Sequence, residues 1–400
     1  MLTQKEKSFI QLQRAGFFLF AAGLPISHVP AQFGIALAAI GWLGEGIVKR
    51  RWKVRGHALM IPLLCYVGWN ILSAALSERP GHSLGAVLDN EWPLLIMVFI
   101  YWCVEDLDIL RQLVYAFLAS SAIAVIYAIW QVIGGVELYR GVPLDPMGWG
   151  FHRAVGFYGF YLTFAGLAMM AFFFASAMWQ ETKRWYYLAL VGLSVLAVVG
   201  TFARSIWLAL AAMVPVFAFT RGRKTGVIVS VLLLVIVAGG MLSVPALRYR
   251  AESILQPGQN ETRLNLWRTA VQISRDHPVL GIGEDNWDLL FDRYRVDGFY
   301  DTKVHPHNDY LTVLVASGIP GVLAFVALWA GALVTGFRLI RDAKESTVKA
   351  VALGATFSVM GFLIGGMFQN YYGTFINCLG WWFLVGLLLC AETIHNSVAQ

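Results

Sequence analysis

The residue types best suited to chemistry gather in residues 304–321, Val-His-Pro-His-Asn-Asp-Tyr-Leu-Thr-Val-Leu-Val-Ala-Ser-Gly-Ile-Pro-Gly. His305 and His307 flank a proline, and an apolar helical run begins immediately afterwards. His307 therefore precedes a helix N-terminus capped by Asn308 or Asp309, where the positive end of the dipole disfavours an imidazolium. A histidine kept neutral near pH 7 accepts a proton from a hydroxyl, a contribution on the order of 10²–10⁴ in rate. The same pair with Asp301 and Asp309 offers ligands to zinc or another divalent ion, although no further His or Cys completes a ligand pattern. A purely structural role is the third reading.

Three arginines complement the histidines. Arg204, in Gly200-Thr-Phe-Ala-Arg-Ser-Ile-Trp207, is the only Arg or Lys in the apolar stretch from Trp185 to Thr220. Such residues face a cavity and have a partner unless they snorkel to the interface. An anion suits Arg204, because guanidinium binds phosphate bidentately and stays charged. Arg263 lies in 260–275, which reads as an amphipathic helix with Asn260 as N-cap and Asp276-His277-Pro278 as its end. Leu264, Leu266, Trp267, Ala270, Val271 and Ile273 form its apolar side. Arg263, four residues before Trp267, projects from the edge of that side, while Arg268 and Arg275 face water. Arg153 lies at another helix mouth, after a loop over about 133–153.

The elements that must hold these residues are apolar helices. Of 400 residues, 58% are hydrophobic and 14% charged, and mean hydropathy is +0.63. Soluble domains carry roughly 25% charged residues, so the composition predicts an all-α polytopic membrane protein. Segments long enough to cross hydrocarbon fall at about 9–26, 30–48, 58–76, 86–103, 109–132, 154–178, 185–202, 205–220, 225–243, 310–337, 348–368 and 372–391, about twelve transmembrane helices. The chain divides into residues 1–243 with nine spans, a loop over 244–309, and 310–400 with three spans. The N-terminus lacks a small-residue cleavage site and is expected to be a retained first span. With it inside the cell, eighteen Lys and Arg fall in cytoplasmic segments. Outside the long loop, the opposite side has Arg79, Arg140, Arg153 and Arg204 alone. The long loop is then extracytoplasmic, which in a Gram-negative cell is periplasmic, and a loop of that length is usually functional. The formal charge of +6 follows this topology, so it gives no reason to expect nucleic acid. Cys65, Cys103, Cys378 and Cys390 lack metal-ligand spacing and read as small buried hydrophobes. Gly361, Gly365 and Gly366 have a helix-packing spacing.

Arginines able to hold a phosphate beside a histidine base, on a face without ATP or nucleotide sugars, imply a donor that arrives in the lipid. That donor is a polyprenyl diphosphate carrying a sugar. The motifs resemble the O-antigen ligase and polymerase superfamily over most of residues 150–320. Arg153-Ala-Val-Gly156 resembles its Arg-Ala-x-Gly element, and Thr201-Phe-Ala-Arg204-Ser its Thr-x-(Ser/Ala)-Arg-(Gly/Ser) element. Arg263 with Trp267 resembles the loop Arg-x-x-x-Trp. His277-Pro-Val-Leu-Gly-Ile-Gly283 followed by Asn286 is similar to His-Pro-Leu-x-Gly-x-Gly-x-x-Asn, with Glu284-Asp285 in place of Pro-Gly. His305-Pro-His307-Asn308 with Leu311 resembles His-x-His-Asn-x-x-Leu.

The resemblance implies a glycosyltransferase of the C type (GT-C) in the bacterial inner membrane, with no cofactor and no metal. It would transfer O-antigen from undecaprenyl diphosphate to lipid A-core oligosaccharide with inversion, in the periplasm. His307 would activate the acceptor hydroxyl with His305 beside it, and Arg204 and Arg263, with Arg153, would bind the donor diphosphate. Polymerases and protein oligosaccharyltransferases of the superfamily share the donor site. Chain size and the single long loop resemble the ligase most. A transporter of lipid-linked sugar is the competing class, but charge-poor spans and the lack of a repeat argue against it.

Overall fold

The protein is described by a computed structural model covering residues 3–302 and 305–399. The first two residues, Lys303 and Val304 of the stretch above, and Gln400 lie outside the described residues. The helices are α1 (Gln4–Gly23), α2 (His28–Lys49), α3 (Met60–Ala75), α4 (Pro80–Glu91), α5 (Leu95–Cys103), α6 (Leu107–Gly134), α7 (Tyr161–Thr182) and α8 (Trp185–Gly200). They continue with α9 (Arg204–Phe219), α10 (Arg223–Ser243), α11 (Pro245–Glu252), α12 (Glu261–Asp276), α13 (Trp287–Tyr294), α14 (Asp309–Asp342), α15 (Ser346–Gly366) and α16 (Phe375–Ala399). Two small antiparallel hairpins, β1 (Val136–Glu137) with β2 (Val142–Pro143) and β3 (Pro146–Gly148) with β4 (Phe151–His152), lie between α6 and α7.

The protein is thus an all-helical, multi-pass membrane protein apart from those hairpins. Each of the twelve apolar segments has helix in it. Seven described helices are long and apolar enough to cross a membrane, or eight if α4 and α5, bent by 43° where Trp92-Pro93 breaks the helix, make one span. Helices α3, α8 and α9 are apolar but have 16 residues each, about 24 Å of rise against roughly 30 Å of hydrocarbon. The first helix opens on Lys5, Glu6 and Lys7. Length and composition therefore do not reach the expected count of twelve. The sixth segment also starts late, at Tyr161 rather than 154, because 153–160 are irregular.

The bundle has a clear inside. Helices α7, α15 and α16 are its centre, with 94% of the apolar window of α7 buried, and α10 is its periphery, with 6%. Aromatic side chains fill the space between central helices: Trp329, Trp381 and Trp382 cluster with Phe362 and Tyr372. One expectation fails here. Cys378 and Cys390 are buried, but Cys103 is half-buried and Cys65 exposed, because α3 turns that face away from the bundle, where lipid serves an apolar thiol as well as a core does.

The loop between α10 and α14 folds into a cap with its own core. Leu266, Ala270 and Ile273 of α12, Ile282, Trp287, Leu290 and Phe291 pack on Val315 of α14. The cap is joined to the bundle where α14 breaks at Gly318 (φ 66°, ψ −169°). Carbonyls freed by that break accept new donors. Val315 O takes the N–H of Ile282 and Ala316 O that of Gly283, both at 2.9 Å, while Ser317 O takes the indole N–H of Trp69 at 2.8 Å. The N–H of Ile319 donates to Pro278 O at 2.8 Å. A Cβ at Gly318 would meet the Val279 carbonyl, so the backbone angle and the close approach both require glycine. The His277–Gly283 stretch is therefore a clasp between cap and bundle. The Glu284-Asp285 turn that follows docks on α4: Asn90 donates to Glu284 Oε1 at 2.9 Å, and His82 lies 3.2 Å from Asp285. Burial pushes Glu284 up to about 7.

Candidate active site

Arg153, Arg204, Arg263, His305 and His307 all lie at one end of the bundle, the end that carries the cap. Helix α12 begins after a 3-10 turn, Pro257–Asn260, and runs to Asp276. Asn260 does not cap it with its side chain. Its φ of −125° and ψ of 7° turn the amide away, and Nδ2 donates instead to the carbonyls of Ser253, Ile254 and Gln256. The buried face of α12 also differs from the apolar side read from the sequence. Leu264 and Val271 are exposed, whereas Thr262, Asn265, Thr269 and Ser274 are buried. Three of them secure the chain leading to the histidines: Thr262 and Asn265 donate to Phe299 O, the N–H of Asp301 donates to Thr262 Oγ1, and the N–H of Val296 donates to Thr269 Oγ1. Arg268 and Arg275 are exposed, and Arg263 is half-buried.

Arg263 shares a cleft of about 360 Å³ with Arg204, the first residue of α9. Leu208, Ile254, Leu255, Leu264, Trp267 and Phe368 supply the apolar wall of this cleft, and Ser205, Gln256 and Asn260 the remaining polar lining. Among the described residues Arg204 forms no salt bridge with an acid. Its Nη1 donates to the carbonyl of Ser253 at 2.8 Å and to the Ser253 hydroxyl at 3.1 Å. The buried indole N–H of Trp267 has no hydrogen-bond acceptor among the described residues.

Arg153 does not line that cleft but stands close to it. It bridges to Asp145 at 3.2 Å and lies over the Tyr161 ring, 4.3 Å from its centroid. A fourth arginine, which sequence reasoning passed over, joins the group. Arg250 of α11 donates through Nε to Phe202 O at 3.1 Å. Burial, and then the charges of Arg204 and Arg153, push Arg250 down to about 10. Burial likewise lowers Arg263, with Arg250 adding to the effect. Tyr161 is within electrostatic reach of Arg204, Arg250 and Arg263. Four guanidiniums within electrostatic reach of one another, with Asp145 and Asp301 as the acids beside them, form a site that a polyanion would relieve.

His307 lies within electrostatic reach of Arg263. Its φ of 52° is left-handed, an uncommon conformation for a non-glycine residue. Two contacts hold it there: its N–H donates to His305 Nδ1 at 3.0 Å, and its own Nδ1 lies 2.8 Å from Gln369 Oε1. The rings are 4.2 Å apart between centroids. Burial lowers His307 below the usual histidine range. Gln369 and Asp301 oppose this effect and Arg263 adds to it. Burial, helped by His307, pushes His305 down to about 4. In both rings burial favours the neutral form. Because Nδ1 of His305 accepts a hydrogen bond, that ring carries its proton on Nε2. His307 turns its Nδ1 toward the amide oxygen of Gln369.

Asn308 caps α14, its Oδ1 accepting from the N–H of Leu311 at 3.0 Å. Asp309, considered with the histidines as a ligand set, turns away and accepts the N–H of Tyr372 at 3.0 Å. Among the described residues no three His, Cys, Asp or Glu side chains come together as a metal site. Sequence reasoning also passed over Gln369. It lies in a short turn after an apolar helix, and only the fold shows what the turn faces.

Residues 188–326, from α8 into α14, match the family model described as O-Antigen ligase. The match covers Arg204, Arg263 and both histidines, and leaves Arg153 and Gln369 outside. Over this segment the chain is similar to that family, which indicates an activity of the ligase or polymerase type on lipid-linked polysaccharide. No curated protein matches the chain.

Proposed function

We propose that this protein is an O-antigen ligase of the bacterial inner membrane. It transfers O-antigen from undecaprenyl diphosphate to a sugar hydroxyl of lipid A-core at the periplasmic face. The observation that carries the reading is one juxtaposition: Arg204 and Arg263, with no salt bridge among the described residues, line an apolar cleft, and His307, whose burial favours the neutral ring and whose Nδ1 meets Gln369, lies within electrostatic reach of Arg263. An apolar cleft with a cationic end suits a lipid whose head is a diphosphate. Arg204 and Arg263 bind the diphosphate, with Arg153 and Arg250 adding positive potential.

In the reaction Nε2 of His307 takes the proton of the acceptor hydroxyl. The acceptor oxygen forms a bond to the anomeric carbon as the bond from that carbon to the diphosphate oxygen breaks. The leaving oxygen keeps the electron pair, and the arginines stabilise its growing charge. A single displacement of this kind inverts the anomeric configuration. The products are the glycosylated core and undecaprenyl diphosphate, and the proton on His307 passes to solvent.

Reconstitution with purified protein, lipid-linked O-antigen and rough lipopolysaccharide tests this. Transfer is expected in EDTA. His307→Ala should reduce it by at least about a hundredfold, the scale of a lost general base. Arg204→Ala and Arg263→Ala should each raise the donor KM and lower kcat. Full activity of a folded His307→Ala protein removes the base, and strict metal dependence restores the divalent-ion reading. Elongation of the lipid-linked chain without transfer to lipopolysaccharide makes the protein a polymerase.

A further inference from the structure

The connection between α15 and α16 is built around the histidines. Hydrogen bonds tie its residues 367–374 to the start of α14. Asn308 Nδ2 donates to Met367 O at 2.8 Å, Gln369 Oε1 meets His307 Nδ1 at 2.8 Å, and the N–H of Tyr372 donates to Asp309 at 3.0 Å. On the other side Tyr371 Oη lies 2.8 Å from the hydroxyl of Ser205, next to Arg204. Phe368, one residue before Gln369, is part of the cleft wall. Gln369 itself is 6% exposed, so its amide has little water to compete with the imidazole.

From this geometry we infer that Gln369 is the positioning residue for His307, and that it selects the Nδ1–H tautomer which leaves Nε2 able to take a proton. The inference rests on the reading of His307 as base. A neutral amide is the appropriate partner. A carboxylate in its place would hold the imidazolium and slow its deprotonation after each transfer, whereas an amide oxygen orients the ring without adding charge. The charged and titratable groups facing His307 are Arg263 of α12, Asp301 of the cap and His305. Arg263 opposes a proton on the ring and Asp301 favours it, so the uncharged Gln369 leaves that balance in place. The second constraint, the His307 N–H to His305 Nδ1 bond, fixes the backbone at its left-handed φ, and the amide then fixes the ring.

The test combines a tautomer measurement with rates, on the full-length protein in lipid nanodiscs. With ¹⁵N-labelled histidine, the signal lost in His307→Gln identifies His307. At pH 7.5 it should show a protonated Nδ1 and an unprotonated Nε2, and the opposite tautomer overturns the proposal. In the transfer assay Gln369→Ala should lower kcat at least tenfold while donor KM changes less than twofold. Gln369→Glu should shift the acidic limb of the pH–rate profile upward by about one unit or more, as an added negative charge requires. Unchanged profiles in both variants, or a loss accounted for by thermal stability and donor KM alone, reduce Gln369 to a structural residue. Full activity of His307→Gln removes the base while leaving the tautomer result intact, so the two failures are distinguishable.

Discussion

Arg250 shows most directly how single residues behave in this site. It is half-buried, it faces Arg204 and Arg153, and its hydrogen bond goes to a carbonyl rather than an acid. Such a charge costs stability in the free protein and is useful when an anion arrives. Arg250→Gln is expected to raise the melting temperature of the donor-free protein by a few degrees. It should also raise the donor KM about tenfold, about 1.4 kcal/mol. Thermal unfolding with and without undecaprenyl diphosphate checks this. An unchanged KM would place Arg250 outside the donor site. The histidines were legible in the sequence as a pair, and their inequality follows from contacts. Nδ1 of His305 is occupied by a backbone N–H, whereas His307 is held by an amide 62 positions away.

At the scale of elements, the break in α14 is the feature that the cap depends on. A straight helix would bury the carbonyls of Val315 and Ala316 in its own ladder and leave the N–H groups of Ile282 and Gly283 without acceptors. Gly318→Ala forces a Cβ toward the Val279 carbonyl at a positive φ. It is predicted to cost about 1–3 kcal/mol and to loosen the cap, read as faster proteolysis in 277–300 with helix content unchanged. Protease resistance equal to wild type would show that the clasp does not hold the cap. Helix α12 was legible in place and length, from Asn260 to Pro278, because proline and periodicity are local signals, although the Asn260 side chain makes no cap bond. Its buried face was not, since Thr262, Asn265 and Thr269 are buried by hydrogen bonds to residues more than 25 positions away.

For the whole molecule, the arginines, the histidines and the turn holding Gln369 all lie at one end, the end where α8, α10 and α15 finish and α9, α14 and α16 begin. Basic residues concentrate at the other end, which predicts that the site faces away from the cytoplasm. Single cysteines placed at Arg268 and at Lys224 in a cysteine-free background report this. The Arg268→Cys protein should react with a membrane-impermeant maleimide in spheroplasts, and the Lys224→Cys protein only after the membrane is opened. The reverse pattern inverts the topology and moves the proposed transfer to a compartment that contains nucleotide sugars.

Sequence alone determined the class of molecule, the positions of nearly every helix and the identity of five candidate site residues. Each of these follows from local properties: hydropathy over about twenty residues, capping types, prolines, and an arginine or histidine where charge is rare. Tertiary structure decided which of those residues meet. It added Arg250, Tyr161 and Gln369, separated Arg153 from the cleft wall, and turned Asp309 away from the histidines. It also made the glycine-rich stretch after His277 a clasp. Those outcomes depend on contacts between chain segments tens to hundreds of residues apart, whose burial and hydrogen bonding have no local periodicity for a sequence to display.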